Sequence, residues 1–217
     1  MTINMGGVRN ISALMRYIKQ KNPDMILMQE LYGEPRVLLG KEFVDLKWEF
    51  ETAGDLGVAT RFAIKDIDDY AHYMMGVKIQ GPDYQFTAYN ISLESLSKSL
   101  NALNNKGIKG RWTTQDTTAK QYEQSKKALE SIEFFENVII AGDFNMTEIN
   151  PIYQKYWSKF QNSFSKAGKG FGYSIYSKVH GIRIDHILTD NDFRVISSEV
   201  GPFVGGDHRP VLSIVEK

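Results

Sequence analysis

Acidic and amide side chains follow apolar runs at several points of this chain. The run Val138–Ala141 leads directly into Gly142-Asp-Phe-Asn145, so Asp143 and Asn145 stand two residues apart at the C-terminal tip of a predicted strand. One interpretation is a turn, because Gly, Asp and Asn are common turn formers. The other is chemistry at the edge of a sheet.

Other predicted strands carry polar residues in the same way. The polar residues in or beside these strands are Asn4, Glu30, Asp143, Asn145, Asp185, Asp207 and His208. Ionised carboxylates are rarely buried unless they are paired or bound to metal. Several of them at one sheet edge would repel each other, and a divalent cation would remove that repulsion. Oxygen ligands in a chain without cysteine indicate Mg²⁺, Mn²⁺ or Ca²⁺ rather than zinc.

Each of these residues also has an ordinary interpretation. Glu30 could be a solvated residue after a strand, and Asp207-His208 could cap a turn. Asp185 lies within the apolar stretch Ile182–Leu188, yet it could pair with Arg183 or His186. The shared position in or at the tips of strands favours a common site.

Composition narrows the classes of function. The 217 residues fit one domain, 1–217, and 26 basic residues balance 26 acidic ones. A strongly basic nucleic-acid-coating protein is therefore disfavoured, although a locally basic groove remains compatible. The absence of cysteine excludes disulfides, thiolate metal sites and cysteine nucleophiles. With no signal peptide and no membrane segment in its sequence, we expect a cytoplasmic location. We also expect a monomer.

The elements that must position these residues are mostly strands. Short runs rich in Val, Ile, Phe and Tyr, separated by turn residues, predict closely spaced antiparallel strands. Helical spacing of apolar residues predicts helices over Val8–Lys21, Thr117–Phe135 and Ile149–Phe164. Two packed, mostly antiparallel sheets with helices outside, an α/β sandwich, fit this layout best.

Five short blocks carry a resemblance that spans nearly the whole chain. They are Pro23-Asp-Met-Ile-Leu-Met-Gln-Glu30, Gly57-Val-Ala-Thr-Arg61, Gly142-Asp-Phe-Asn145, Arg183-Ile-Asp185 and Asp207-His-Arg-Pro-Val211. In type and order they resemble the endonuclease/exonuclease/phosphatase superfamily, the deoxyribonuclease I-like fold, with Gly206 in place of a usual Ser. Gly170-Phe-Gly-Tyr173 is similar to the membrane-anchored bacterial branch of that superfamily.

The resemblance implies a four-layered α/β sandwich that hydrolyses phosphate esters with Mg²⁺ or Mn²⁺. It implies that Asp143 activates the attacking water, that Asn145 holds a phosphate oxygen, and that His208 acts at the phosphate with Asp185 as its hydrogen-bonding partner. The metal site that the resemblance implies consists of Glu30, Asp207 and the nearby Asn4. The expected substrate-binding residues are Asn90, Ser92, Arg111 and Trp112.

Ser92 departs from the superfamily pattern, which usually has a histidine at the end of this central strand. Serine cannot act as a cation or general acid near neutral pH. Three interpretations follow: a weakened or inactive relative that still binds its ligand, an enzyme that works without this histidine as the abasic-site endonuclease branch does with a tyrosine, or a substitute such as His186 or Tyr89. The strand period places His186 and Tyr89 on the wrong face.

The segment between Ser92 and Asp143 interleaves basic and aromatic residues, including Arg111, Trp112 and Tyr122. Such a pattern suits a phosphate backbone, so a nuclease acting on nucleic acid is the leading hypothesis. The alternative for this segment is a solvated helix face whose lysines pair with Glu123, Glu130 and Glu133. Two other functions stay open: a binding module that cuts nothing, and a phosphatase on a small or lipid phosphate.

Overall fold

A computed structural model describes residues 1–95, 108–132, 136–176 and 181–217, and for residues 108–115 it describes the backbone alone. The helices are α1 (Ser12–Lys21), α2 (Gly33–Asp45), α3 (Ile108–Ser131), α4 (Pro151–Tyr156) and α5 (Ser163–Ala167). The strands are β1 (Thr2–Asn4), β2 (Met25–Gln29), β3 (Glu49–Ala53), β4 (Leu56–Thr60), β5 (Ala63–Ala71), β6 (Met74–Gln80), β7 (Gln85–Ser92), β8 (Val138–Asp143), β9 (Gln161–Asn162), β10 (Ile175–Tyr176), β11 (Gly181–Ile182), β12 (Asp185–Thr189), β13 (Arg194–Val200) and β14 (Val211–Glu216).

The strands form two mixed six-stranded sheets. The first has the order β13-β14-β1-β2-β4-β3, the second has the order β5-β6-β7-β8-β12-β9, and β10 and β11 make a separate hairpin. In the described ranges the pairs β1–β2 and β7–β8 are parallel, and the other neighbours in the two large sheets are antiparallel. The predicted α/β sandwich of mostly antiparallel sheets is thus confirmed.

In the part of the chain that the structure describes, three apolar clusters separate four layers. Side chains of α1 and α2 pack on one face of the first sheet, and side chains of α3 and α4 pack on one face of the second. The third cluster fills the space between the sheets. Strand β8 shows how the strand period divides the layers: Val138 and Ile140 face the helices, whereas Ile139 and Ala141 face the other sheet.

The predicted helix Ile149–Phe164 is wrong in its extent. Asn150 caps α4 by accepting a hydrogen bond from the Ile152 N–H, and Pro151 follows in the first turn. The chain then leaves the helix for the short strand β9. Asn162 ends that strand and caps α5, accepting from the Phe164 and Ser165 N–H groups. Two polar caps therefore divide a stretch whose apolar residues recur at helical spacing.

Other boundaries also differ from the pattern-based expectations. Helix α1 begins at Ser12 rather than Val8, and α3 begins at Ile108, well before the predicted start. Helix α2 is not predicted by the sequence pattern, because it buries only Leu39 and Phe43 and shows little apolar periodicity. Strand β5 is also absent from the pattern-based expectations, since it is charged and partly exposed. No helix among the described residues is long and apolar enough to cross a membrane.

Candidate active site

One edge of the sandwich gathers the polar strand ends. The parallel strands β1 and β2 end side by side, with Asn4 opposite Gln29, directly before Glu30. In the second sheet, Asp143 of β8 pairs in register with Ser92 of β7 on one side and with Asp185 of β12 on the other. The two sheets meet at this edge, because the Asn4 side-chain amide donates to Asp143 Oδ2 at 3.0 Å.

Oxygen atoms crowd around Gly6, which follows β1. A Cβ atom on Gly6 would stand 2.7 Å from Glu30 Oε2, 3.0 Å from Asn4 Oδ1 and 3.3 Å from Asp207 Oδ1. The Asn4 amide also donates to Glu30 Oε1 at 3.0 Å, and its oxygen accepts from the Gly6 N–H at 2.8 Å. Glu30 itself adopts a left-handed backbone conformation with φ +51°, which is uncommon for a residue with a side chain. The three oxygens thus surround a space that only glycine leaves open.

Asp143 is buried and held by three donated hydrogen bonds. Its Oδ1 accepts from the Asn145 N–H at 2.8 Å, and its Oδ2 accepts from the side-chain amides of Asn4 and Asn145, both at 3.0 Å. Burial raises the pKa of Asp143 to about 7, and the neighbouring Asp185 carboxylate adds to the rise. Carboxyl groups with such a pKa exchange protons readily near neutral pH.

Asp185 and His208 form a buried pair beside Asp143. His208 Nδ1 lies 2.8 Å from Asp185 Oδ2, and His208 Nε2 lies 3.9 Å from Asp143 Oδ2. Burial by itself lowers the pKa of His208, but the Asp185 carboxylate, helped by the Asp143 carboxylate, outweighs burial and raises the pKa to about 9. The imidazole is therefore a cation at neutral pH, and its Nδ1–H donates to Asp185.

Among the residues that the structure describes, two groups of side chains at this edge could hold a metal ion. Asp143, Asp185 and His208 offer ligand atoms within 4.8 Å of one another. In that group, however, His208 Nδ1 is already bonded to Asp185. The group around Gly6 offers only oxygens, from Glu30, Asn4 and Asp207, which suits Mg²⁺ or Mn²⁺. The donor chemistry therefore fits a hard divalent cation at Gly6 better than at the histidine.

Two predicted ligand-contacting asparagines make hydrogen bonds within the protein. Both hydrogens of the Asn145 amide are used, because it donates to Leu93 O at 2.8 Å and to Asp143 Oδ2. Asn90 is fully buried between the sheets; its amide donates to Met28 O at 2.8 Å and Gly57 O at 2.9 Å, and it accepts from Gln29 at 2.6 Å. These contacts make Asn145 a support for Asp143 and Asn90 a tie between the sheets.

The other expected substrate contacts are placed only in part. Ser92 is half-buried at the end of β7, in register with Asp143. Arg111 and Trp112 lie in the first turns of α3, where the side chains fall outside the described residues. Three lysines of α3 pair with acids one turn away: Lys120 with Asp116, Lys126 with Glu130, and Lys127 with Glu123. These pairs support the solvated-face interpretation of this helix.

Three residues that support the site carry no sign of that role in the sequence. Ser174 is fully buried, and its Oγ accepts from the Ile184 and Asp185 N–H groups at 3.2 and 3.1 Å. Gln121 of α3 donates to Glu94 O and to Asn145 O, which joins the loops after β7 and β8. In the sequence, Gly6 indicates only the end of the first predicted strand. A serine beside a glycine-rich run and a glutamine in a polar helix give no signal of such contacts.

The fold and this edge define a class: an α/β sandwich with an oxygen-rich, acidic site and a buried aspartate–histidine pair. The model of the endonuclease/exonuclease/phosphatase family matches residues 1–208. The chain belongs to that family, as the sequence blocks predicted. No curated protein matches this sequence.

Solved structures of other proteins share the fold. A variant of D. rerio TDP2 humanized by 14 mutations has a TM-score of 0.77 and 16% identity, covering 100% of this chain and 97% of that one. An AP endonuclease from Archaeoglobus fulgidus has a TM-score of 0.71 and 14% identity, covering 100% and 99%. A single-residue variant of the 3′ phosphatase NExo from Neisseria, bound to a product DNA hairpin, has a TM-score of 0.68 and 12% identity, covering 100% and 99%. At these identities the likeness concerns the fold.

Proposed function

We propose that this protein is a divalent-metal-dependent phosphodiester hydrolase that cleaves nucleic acid. The observation that carries the proposal is the meeting of the oxygen group around Gly6 with Asp143 and the Asp185–His208 pair at one sheet edge. Family membership supports phosphate-ester hydrolysis, and the names of two structural neighbours, an AP endonuclease and a 3′ phosphatase bound to DNA, favour nucleic acid over other phosphate esters.

The proposed mechanism assigns a task to each group. Glu30 and Asp207, with Asn4 beside them, would hold Mg²⁺ or Mn²⁺, which supplies a positive charge to a phosphate oxygen. Asp143, fixed by its three donors, takes a proton from the attacking water. The water oxygen bonds to phosphorus as the bond from phosphorus to the ester oxygen breaks, and the leaving ester oxygen takes up a proton from solvent. His208, protonated and held by Asp185, donates a hydrogen bond to the phosphate and stabilises its growing negative charge.

The first experiment compares wild-type protein with Asp143→Asn on supercoiled plasmid, single-stranded DNA and RNA, with Mg²⁺, with Mn²⁺ and with EDTA. We expect metal-dependent cleavage that falls roughly 10²- to 10⁴-fold in the variant, because the proton acceptor is lost. The matched control is Asp69→Asn, the same chemical change at an exposed residue of β5. Cleavage that Asp143→Asn leaves unchanged, in a folded protein, would contradict the proposal.

Ser92 favours a second candidate function, a module that binds nucleic acid or a phosphorylated ligand without cutting it. The residue stands in register with Asp143, where a cation could reach the same phosphate. For such a module we expect Ser92→His to create metal-dependent cleavage, and Ser92→Asn, which is polar but never cationic, to create none. Rapid turnover by the wild type would rule this function out.

A further inference from the structure

Aromatic side chains gather in and after the glycine-rich loop 168–173. The rings of Phe171 and Tyr173 stack nearly parallel, with centroids 5.2 Å apart and an interplanar angle of 11°. The Tyr176 ring then meets Tyr173 edge-on at 5.8 Å. We call Phe171, Tyr173 and Tyr176 the aromatic platform. Phe171 is 78% exposed and Tyr176 is 50% exposed, so the platform faces solvent.

The loop that carries Phe171 is held in place. Gly170 and Gly172 flank it with φ of +76° and +64°, conformations that favour glycine. Gly172 lies so close to the Phe164 ring that a Cβ atom would come within 2.3 Å of it. Phe171 O also accepts from Arg183 Nη1 at 3.4 Å. An apolar ring is thus displayed to water by a packed loop rather than by a loose one.

The aromatic platform is connected directly to the Asp185–His208 pair. Ser174, next to Tyr173, accepts from the Asp185 N–H, and Ile175 forms an antiparallel bridge with His208. The Arg209 N–H donates to Ser174 O at 2.7 Å. The Arg209 guanidinium lies 4.1 Å from the centre of the Tyr176 ring. A flat aromatic surface and a cation therefore stand beside His208.

We propose that the stacked rings of Phe171 and Tyr173 bind an unpaired nucleobase of the strand being cut, while Arg209 contacts the phosphate backbone beside it. The inference rests on the proposed function and names its substrate more closely. Nucleobases stack on exposed aromatic faces, and guanidinium groups pair with phosphate oxygens. In a duplex the faces of interior bases are already covered by their neighbours. The platform thus selects single-stranded or frayed nucleic acid.

The test measures binding without reaction. Wild-type protein in EDTA is titrated into two fluorescein-labelled strands of equal length, an oligothymidylate and a strand of abasic sugar-phosphate units. The difference in affinity isolates the contribution of the bases. The variants are Phe171→Leu, which keeps an apolar side chain but removes the ring, and Phe171→Trp, which keeps a ring. The control is Val44→Ala on α2, where an exposed apolar side chain lies outside the platform.

We expect the wild type and Val44→Ala to bind the strand with bases roughly tenfold tighter than the abasic strand. The ratio of the two affinities should fall towards one in Phe171→Leu and rise again in Phe171→Trp. A preference that Phe171→Leu retains, or its absence from the wild type, would overturn the inference. Binding of the wild type to anionic lipid vesicles, lost in Phe171→Ala but kept in Phe171→Leu, would instead assign the surface to lipid.

This experiment separates the inference from the proposed function. If the protein prefers strands with bases but cuts nothing, the inference about the aromatic platform holds and the proposed hydrolase function is wrong. If the protein cuts DNA in a reaction that needs Asp143 but shows no preference for bases, the proposed function holds and the inference about the platform is wrong.

Discussion

Asp143 and Asp185 are chemically identical and stand opposite each other in neighbouring strands, yet their surroundings differ. Asp143 receives hydrogen bonds from amide donors, whereas one oxygen of Asp185 faces His208. The other oxygen of Asp185 is buried and has no hydrogen-bond partner among the described residues. In the proposed mechanism, the environment of each side chain, rather than its type, suits Asp143 to proton transfer and Asp185 to holding a cationic imidazole.

Ser174 offers a test of how strictly the pair must be positioned. Ser174→Ala leaves the Ile184 and Asp185 N–H groups without their acceptor, so we expect the free energy of unfolding to fall by about 2 kcal/mol. Because Asp185 shifts relative to His208, kcat should fall about tenfold or more while KM changes little. Ser174→Thr keeps the hydroxyl and should restore kcat. A lower stability with unchanged kcat would reduce Ser174 to a structural role.

At the scale of elements, the site depends on strand ends that only the pairing brings together. Parallel pairing of β1 with β2 sets Asn4 beside the start of the Glu30 turn, and antiparallel pairing of β8 with β12 sets Asp143 against Asp185. Helix α3 adds a clamp, since Gln121 bonds to carbonyls of both loops beside Asp143. Loops anchored in this way can hold catalytic groups in a fixed arrangement.

The turn after β1 can be tested through metal affinity. In Gly6→Ala the added methyl group would stand 2.7 Å from Glu30 Oε2, closer than contacting atoms allow, so the carboxylate must move. We expect the Kd for Mn²⁺, measured by calorimetry, to rise at least about tenfold, and the rise in Tm on adding Mn²⁺ to become smaller. The control is Gly40→Ala within α2. Equal Mn²⁺ affinity in Gly6→Ala and wild type would show that the metal binds elsewhere.

At the scale of the whole molecule, polar residues are buried within the packed layers as well as at the sheet edge that holds Asp143 and His208. His186 follows Asp185 but faces the helix side, where it packs against Phe144 and Tyr153. Its Nε2 lies 2.9 Å from Met146 O, and its Nδ1 lies 3.0 Å from the Asn162 amide. Burial lowers the pKa of His186 to about 4. The ring is therefore neutral in the folded protein at neutral pH, with Nε2–H as donor and Nδ1 as acceptor.

This burial predicts an acid-sensitive stability. Between pH 6.5 and about 4 the unfolded chain binds a proton at His186 that the folded protein does not. The unprotonated His186 therefore contributes about 3 kcal/mol to the free energy of unfolding. This contribution is fully present above pH 6.5 and is lost as the pH falls through about 4. Urea unfolding at about pH 7 and about pH 4.5 should therefore show a smaller loss of stability in His186→Gln than in the wild type. Equal losses in the two proteins would contradict the assignment.

Local patterns in the sequence determined the class of fold and the residues at the strand tips. The continuous apolar run of β8 and the polar residues that follow it are neighbours along the chain, so both could be recognised directly in the sequence. The sequence blocks that resemble the superfamily identified Asp143, Asp185 and His208 as candidate site residues. Helix α2 and strand β5 lack a strong apolar period, and for that reason the sequence does not predict them.

Only the tertiary structure decided which atoms of these residues meet. Asn4 and Asp143 are 139 residues apart, and their hydrogen bond joins two sheets. The amides of Asn90 and Asn145 were expected at the ligand, but their hydrogens are taken by carbonyl and carboxylate oxygens from other strands and loops. A sequence states which donors and acceptors exist. Packing alone determines which of them are already satisfied within the protein and which remain for a substrate.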